Sequence, residues 1–172
     1  MKVIPLSTDG YVALVDEAYY PVLAKNSWYA IFSRSKHGLN VYAGREERSS
    51  GKRRCILMHH VVLPGVGRVD HADGNGLNNQ RYNLRPATRS QNRINSAKRH
   101  GTSRFRGVSI HKSTGKWQVK IKKDGREHHI GLFTEEVDAA TAWNLVAFEL
   151  FGEFARMNAP ARLRELGIEV SE

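Results

Sequence analysis

The stretch from Phe105 to Gly152 constrains the fold more than any other part of the chain. Lys116-Trp117-Gln118-Val119-Lys120-Ile121-Lys122 alternates polar and apolar residues without a break, the period of a strand with one dry and one wet face. Trp117, Val119 and Ile121 belong to the core side, and Lys116, Gln118, Lys120 and Lys122 to the other. Ser113-Thr114-Gly115 before it and Lys123-Asp124-Gly125 after it carry hairpin-turn chemistry. Residues 105–110 and 128–133 are therefore its expected antiparallel neighbours. Thr134 is the expected cap of a following helix, with Glu135 and Glu136 in a first turn that favours acids. Ala139, Trp143, Val146, Ala147 and Leu150 then recur at helical spacing and Gly152 closes the last turn. That stripe, Trp143 included, is the expected packing face against the sheet.

The other face of this sheet is cationic, and the charge extends upstream. Basic residues recur from Arg81 to Arg126 with Asp124 the one acid among them, in a chain of 172 residues carrying a formal charge of +10. Because they interleave with apolar and aromatic residues instead of forming a tail, they read as a nucleic-acid face. The expected partner is double-stranded DNA. The length allows one ordinary domain or two small ones. The single cysteine, Cys55, excludes an internal disulfide and any multi-cysteine zinc cage, and suits a reducing compartment. No apolar run approaches a bilayer span, and MKVIPLSTDG has no signal-peptide core. The expectation is a cytoplasmic monomer without membrane contact.

The reading divides the chain into a β-rich region 1–58, a His/Asp/Asn-dense segment 59–97, a basic linker 98–103, the sheet-and-helix module 104–160 and a tail 161–172. In the first region 11–15, 28–32 and 40–43 are strand candidates, separated by turn formers. The segment from Val69 to Thr88 resists description as regular structure. It places Asp70 beside His71 at a strand end, then an Asn/Gly-rich loop, then a second short strand. Thr88-Arg89-Ser90-Gln91 is a capping-box pattern and predicts a helix, with Asn92 and Asn95 on one face. Carboxylate and amide oxygens are hard ligands suited to Mg²⁺ or Mn²⁺. An imidazole can take a proton from water near neutral pH. Together they meet the needs of metal-assisted phosphodiester hydrolysis.

Asp70-His71, Asp73-Gly74-Asn75, Asn78-Asn79, Asn83-Leu84-Arg85 and Asn92, preceded by Met58-His59-His60-Val61, resemble the HNH endonuclease motif of phage and intron-encoded homing enzymes. The resemblance implies a ββα-metal core, with His71 as general base and Asp70 as a ligand of a divalent metal ion. It places Asn83 as the residue that holds the metal loop and orients the base, and His59 in a structural or phosphate-contacting role. Asn92 stands where other members have their final histidine and is the implied second ligand, with Asn79 and Asn95 as alternatives. The chain departs from the zinc-stapled members in having no paired Cys-x-x-Cys.

Residues 104–158 resemble a second family, the plant ethylene-response-factor (Apetala-two type) DNA-binding domain. The resemblance rests on Phe105-Arg106-Gly107-Val108, Gly115-Lys116-Trp117, Ile130-Gly131-Leu132-Phe133, the acid-started Ala-rich helix, and Phe151-Gly152 before Asn158. It implies a three-stranded antiparallel sheet laid into the major groove, read out by Arg106, Ser109, His111, Lys116, Gln118, Lys120 and Lys122. Ser109 and His111 stand where the plant factors have arginine, which implies relaxed specificity. Arg99 and Arg104 extend the basic surface. The resulting expectation is an α+β chain, a ββα-metal nuclease core with a β-rich N-terminal extension followed by a sheet packed on one helix. It would be a metal-dependent, homing-type DNA endonuclease that nicks one strand. The rivals are a non-catalytic DNA-binding regulator with a decayed motif and an RNA-directed protein.

Overall fold

The computed structural model describes residues 1–35, 38–49, 51–96 and 101–158. Arg99 and the 161–172 tail lie outside the described residues. The fold mixes α and β, with four small antiparallel sheets and four α-helices among the described residues. It divides into two compact units, Met1–Thr88 and the chain from Arg89 onward.

In the first unit β1 (Lys2–Pro5) and β2 (Val12–Val15) form a hairpin, and the single turn α1 (Tyr20–Leu23) follows with Pro21 at its start. Ala13 and Val15 are fully buried while Val12 is exposed, the alternation expected of a strand covered on one face. A second sheet runs β3 (Tyr29–Ser35), β4 (Gly38–Ser49), β5 (Lys52–Leu57). It is staggered: β3 pairs with β4 up to Gly44, and β5 pairs with β4 from Gly44 onward. Next come α2 (Met58–Val62), β6 (Val69–His71), a 3-10 turn at Arg81–Asn83 and β7 (Leu84–Pro86), which pairs with β6. One core, built from Ile4, Val15, Leu23, Trp28, Ala30, Ala43, Met58, Val62, Val69 and Leu84 among others, joins β1, β2, α1, β3, β4, α2, β6 and β7. Trp28 is buried and its indole N–H donates to the Leu23 carbonyl at 2.8 Å, so its polar handle is satisfied.

The second unit holds α3 (Arg89–Asn95), the sheet β8 (Val108–Ile110), β9 (Trp117–Lys123) and β10 (Arg126–Phe133) in the order 10-9-8, and α4 (Glu136–Phe151). Val119, Ile121, Ala139, Ala140, Trp143, Ala147 and Phe151 form its core, on the face the sequence alternation predicts. The first strand is shorter than the expected 105–110, and the reason is Gly107. It sits at φ +72°, and a Cβ there would run into the Trp143 ring. The chain before β8 is therefore a turn pressed against α4. The N-cap of α4 is Glu135, not Thr134, and no side chain bonds the helix start there. Asn158 is buried and closes the unit: its N–H donates to Asn144 Oδ1 (2.8 Å), and its amide donates to the Arg106 carbonyl (3.0 Å).

α3 begins at Arg89, as the capping-box pattern predicts, but its affiliation differs from the sequence reading. Ile94 lies in the second core, the Arg106 guanidinium donates to the carbonyls of Ile94 and Ser96, and Ser90 Oγ accepts the Asp124 N–H. The helix is thus tied to the C-terminal sheet, and the division falls between residues 88 and 89 instead of in 98–103.

Candidate active site

Asp70 and His71 are adjacent on β6, so their side chains leave opposite faces of a three-residue strand that is buried throughout. The register places Asp70 opposite Arg85 and His71 opposite Leu84. Arg85 uses that position: its Nε and Nη2 both donate to Asp70 Oδ2, at 2.9 and 2.8 Å. The carboxylate is thereby buried with a fixed orientation.

The loop between β6 and β7 is folded around Asn83, which is 1 % exposed. Asn83 Oδ1 accepts the Asp73 N–H at 3.0 Å, and its amide donates to Asp73 Oδ1 at 3.0 Å and to the Asn78 carbonyl at 2.8 Å. Asp73 is the second hub, accepting the Asn75 N–H (2.8 Å) and the Asn78 amide (2.8 Å). Such Asx contacts explain why the sequence here is rich in Asn and Asp and poor in apolar residues. The N-terminal region holds the loop's other side. Leu14 donates to the Leu77 carbonyl and accepts the Asn79 N–H, and Asp16 takes the Arg81 N–H at 2.6 Å. Gly76 permits a close crossing, since a Cβ there would clash with the Val41 carbonyl and the Tyr42 ring. The β-rich residues 1–58 are thus the scaffold of this loop.

His71 is 6 % exposed. Burial pushes its pKa below the ordinary imidazole value, and the Asn79 side chain, Asp73 and Asp70 pull it partly back. The ring is neutral at pH 7, the form able to accept a proton. His59 on α2 meets it edge-on, with ring centroids 5.1 Å apart, and Tyr42 from β4 lies 5.9 Å from both rings. Burial, aided by His71 and His60, lowers the His59 pKa to about 3. Its Nδ1 is buried with no hydrogen-bond partner among the described residues. Burial and the Asp70 charge push the Tyr42 pKa up.

The fold therefore brings Asp70, His71, Asn83 and His59 together in the first unit. Of the three candidate amides for a second ligand, Asn79 is fully buried in this unit, while Asn92 and Asn95 stand on α3 in the second. Among the described residues no three His, Cys, Asp or Glu side chains gather as a metal cage. The donor set is the Asp70 carboxylate, with the Asp73 carboxylate and the Asn79 side chain also acting on the His71 ring. That fits a hard ion of the Mg²⁺ type, which binds through one or two carboxylates and keeps water or phosphate as its other ligands. Arg85 belongs to the quoted motif but gains its role on Asp70 through strand register, while Tyr42 and Asp16 lie far from the motif in sequence and arrive by tertiary packing.

In the second unit Gln118, Lys120 and Lys122 share the outward row of β9, with Ser109 of β8 opposite Gln118. Lys116 is exposed, Lys120 pairs with Glu127 at 2.9 Å, and His111 Nδ1 contacts Thr114 Oγ1 at 2.9 Å inside the turn. Arg104 is exposed beside Glu136, with its guanidinium over the Phe105 ring. Arg106 differs from its expected outward role. It is half-buried over Trp143 and bonded to the carbonyls at the end of α3. Arg93, Arg106, Lys120 and Lys122 line a cleft of about 340 Å³ with no acidic residue in its lining.

A buried aspartate–histidine strand end, closed by an asparagine-braced loop, defines a class of protein, and sequence comparison identifies it. The chain is 32 % identical over 149 residues to an uncharacterized HNH endonuclease, L560, of Acanthamoeba polyphaga mimivirus, covering 87 % of this chain and 75 % of that protein. It is also 32 % identical over 96 residues to Protein 3.8 of Escherichia phage T7, covering 55 % of this chain and 78 % of that one. No family model matches the sequence. The chain belongs to the HNH endonuclease family.

Proposed function

We propose that this protein is a divalent-metal-dependent endonuclease of the homing type. In this reading it hydrolyses phosphodiester bonds in duplex DNA and nicks one strand, with β6 and β7 as the strands of a ββα-metal core. The observation that carries the reading is the buried Asp70–His71 pair, with a neutral imidazole and a loop locked by the Asn83–Asp73 hub. His71 takes a proton from the attacking water, and the tight packing of its ring against Tyr42 and His59 holds it in place for that transfer. Asn83 is a positioning residue that fixes the loop following His71. Asp70, oriented by Arg85, supplies the carboxylate ligand, and the family resemblance assigns the second to Asn92. A bound Mg²⁺ or Mn²⁺ would stabilise negative charge on the scissile phosphate and the leaving oxygen.

The β9 row with Lys116, Ser109 and Arg104 is the proposed DNA-binding surface of the C-terminal module, and its net cation excess supports that role. The test is incubation of supercoiled plasmid with the protein in Mg²⁺, Mn²⁺ or EDTA, beside a His71→Ala variant. Metal-dependent conversion to open circle, lost in the variant, is the expected result. Linear product would replace nicking with double-strand cleavage, and undiminished cutting by the variant would remove His71 from its role. A gel shift with no cleavage in any metal would favour the non-catalytic regulator.

A further inference from the structure

The stagger of the β3-β4-β5 sheet leaves a two-stranded ribbon that the first unit's core does not use. Beyond Gly44, which pairs with both Tyr29 and Leu57, β4 and β5 pair only with each other, out to Ser49 opposite Lys52. Residues 52–55 are exposed throughout. The register puts Arg48 directly opposite Arg53, on the same ribbon face. Like charges facing each other across an antiparallel pair destabilise it, so folding does not account for the arrangement. Edge cations do discourage edge-to-edge pairing. A Glu–Arg pair would serve that purpose equally well without the repulsion.

The acids on the ribbon are already engaged. Glu47 is held by Arg45 at 2.9 Å and Glu46 lies 3.7 Å from Arg53. Arg48, Lys52 and Arg54 have no ion-pair partner among the described residues. The ribbon is thus a narrow strip, half-buried at Arg45 and Glu47 and exposed from Arg48 outward, with unbalanced positive charge at its end. A two-stranded ribbon with strands ~4.8 Å apart fits a B-DNA major groove ~12 Å wide. It is also rigidly coupled to the candidate active site. β5 runs directly into α2, which bears His59, and the other half of β4 bears Tyr42 against His71.

We propose that the β4–β5 ribbon is a DNA-binding element of the first unit, contacting duplex phosphates through Arg48, Arg53 and Arg54. Its role is to seat the duplex beside the Asp70–His71 strand independently of the C-terminal sheet. The inference rests on the reading of the chain as a DNA nuclease, and its test separates the two.

The full chain is titrated onto a fluorescein-labelled random-sequence duplex in EDTA, which prevents cleavage, at salt concentrations from about 50 to about 200 mM. The double variant Arg48→Ala/Arg53→Ala loses two phosphate contacts, so the slope of log K against log salt falls by about 1.8. Over that salt range the unsubstituted protein then loses about twelvefold more affinity than the variant. Arg48→Lys/Arg53→Lys restores the slope. Thermal unfolding of the alanine variant is unchanged or raised, because the like-charge pair is gone. If it fails to fold, Arg54→Ala takes its place, with a slope change of about 0.9. An unchanged slope in a protein that binds and nicks DNA overturns the ribbon proposal alone. The same titration is run onto duplex RNA and onto phosphatidylglycerol vesicles, and a slope change confined to either overturns the proposal in favour of that partner. No DNA binding by the unsubstituted chain overturns both this inference and the functional reading beneath it.

Discussion

Replacing Asn83 by aspartate changes one amide nitrogen to oxygen, yet the fold makes it a severe substitution. In the native loop the Asn83 amide donates to Asp73 Oδ1 at 3.0 Å. The Asn83→Asp variant would instead set a second carboxylate against Asp73, in a side chain only 1 % exposed. Two charges ~3 Å apart repel by about 5 kcal/mol at an effective dielectric of ~20. The donated bonds to Asp73 and Asn78 are lost as well. Asn83→Ala removes the same two donated bonds and the accepted one without adding charge, for about 2–4 kcal/mol. At pH 8 the aspartate variant is therefore the less stable of the two. The carboxyl pair relieves its repulsion by retaining a proton, so its folded pKa is raised. The folded state then binds a proton the unfolded chain releases, and stability rises as pH falls. Urea unfolding of the two variants and the unsubstituted protein at pH 8 and pH 5 measures this. The deficit of Asn83→Asp relative to the unsubstituted protein shrinks at pH 5, while that of Asn83→Ala stays constant. An aspartate variant as stable as the native chain at pH 8, or one whose deficit grows on acidification, would refute the hub assignment.

The native protein has the opposite pH response. His59 titrates at 6.5 when unfolded and at about 3 when folded, so the unfolded state gains the proton first and stability falls with pH below 6.5. By pH 5 this removes about 2 kcal/mol, with His71 adding in the same direction, and His59→Phe flattens the urea-melt profile. Arg85→Ala removes both guanidinium bonds from the buried Asp70 carboxylate and costs about 3–5 kcal/mol; if the melting temperature barely moves, the pair is not what holds Asp70. Gly107→Ala forces a Cβ into the Trp143 ring at a positive φ. Near-UV circular dichroism and thermal melting then report a loss of about 2 kcal/mol or more.

The C-terminal sheet was legible because its signals are local. The alternation in 116–122, the Asp-Gly turn and the helical stripe each act within a few residues, and Val119, Ile121 and Trp143 are buried as that pattern requires. The candidate site strand β6 was legible for another reason. Asp70 beside His71 ahead of an asparagine-rich loop is a chemical signature that no packing need produces. What went astray turned on a side chain's destination. Arg106 reads as an outward cation because it precedes a strand with alternating polarity. Gly107 bends the chain there, and the guanidinium turns to the open carbonyls at the end of α3. The same contact, with Ile94 in the second core, moved α3 out of the unit the motif suggested.

By itself the sequence determined the sheet faces, the order of the elements and the residues able to do chemistry. All three follow from periodicity and functional-group chemistry over short spans. Tertiary structure decided which groups meet: Arg85 on Asp70, Tyr42 and His59 against His71, Asp16 beneath the loop, and Arg48 facing Arg53. Those pairings depend on strand register and on contacts between distant segments, and a one-residue shift in either would rearrange them without altering any local preference.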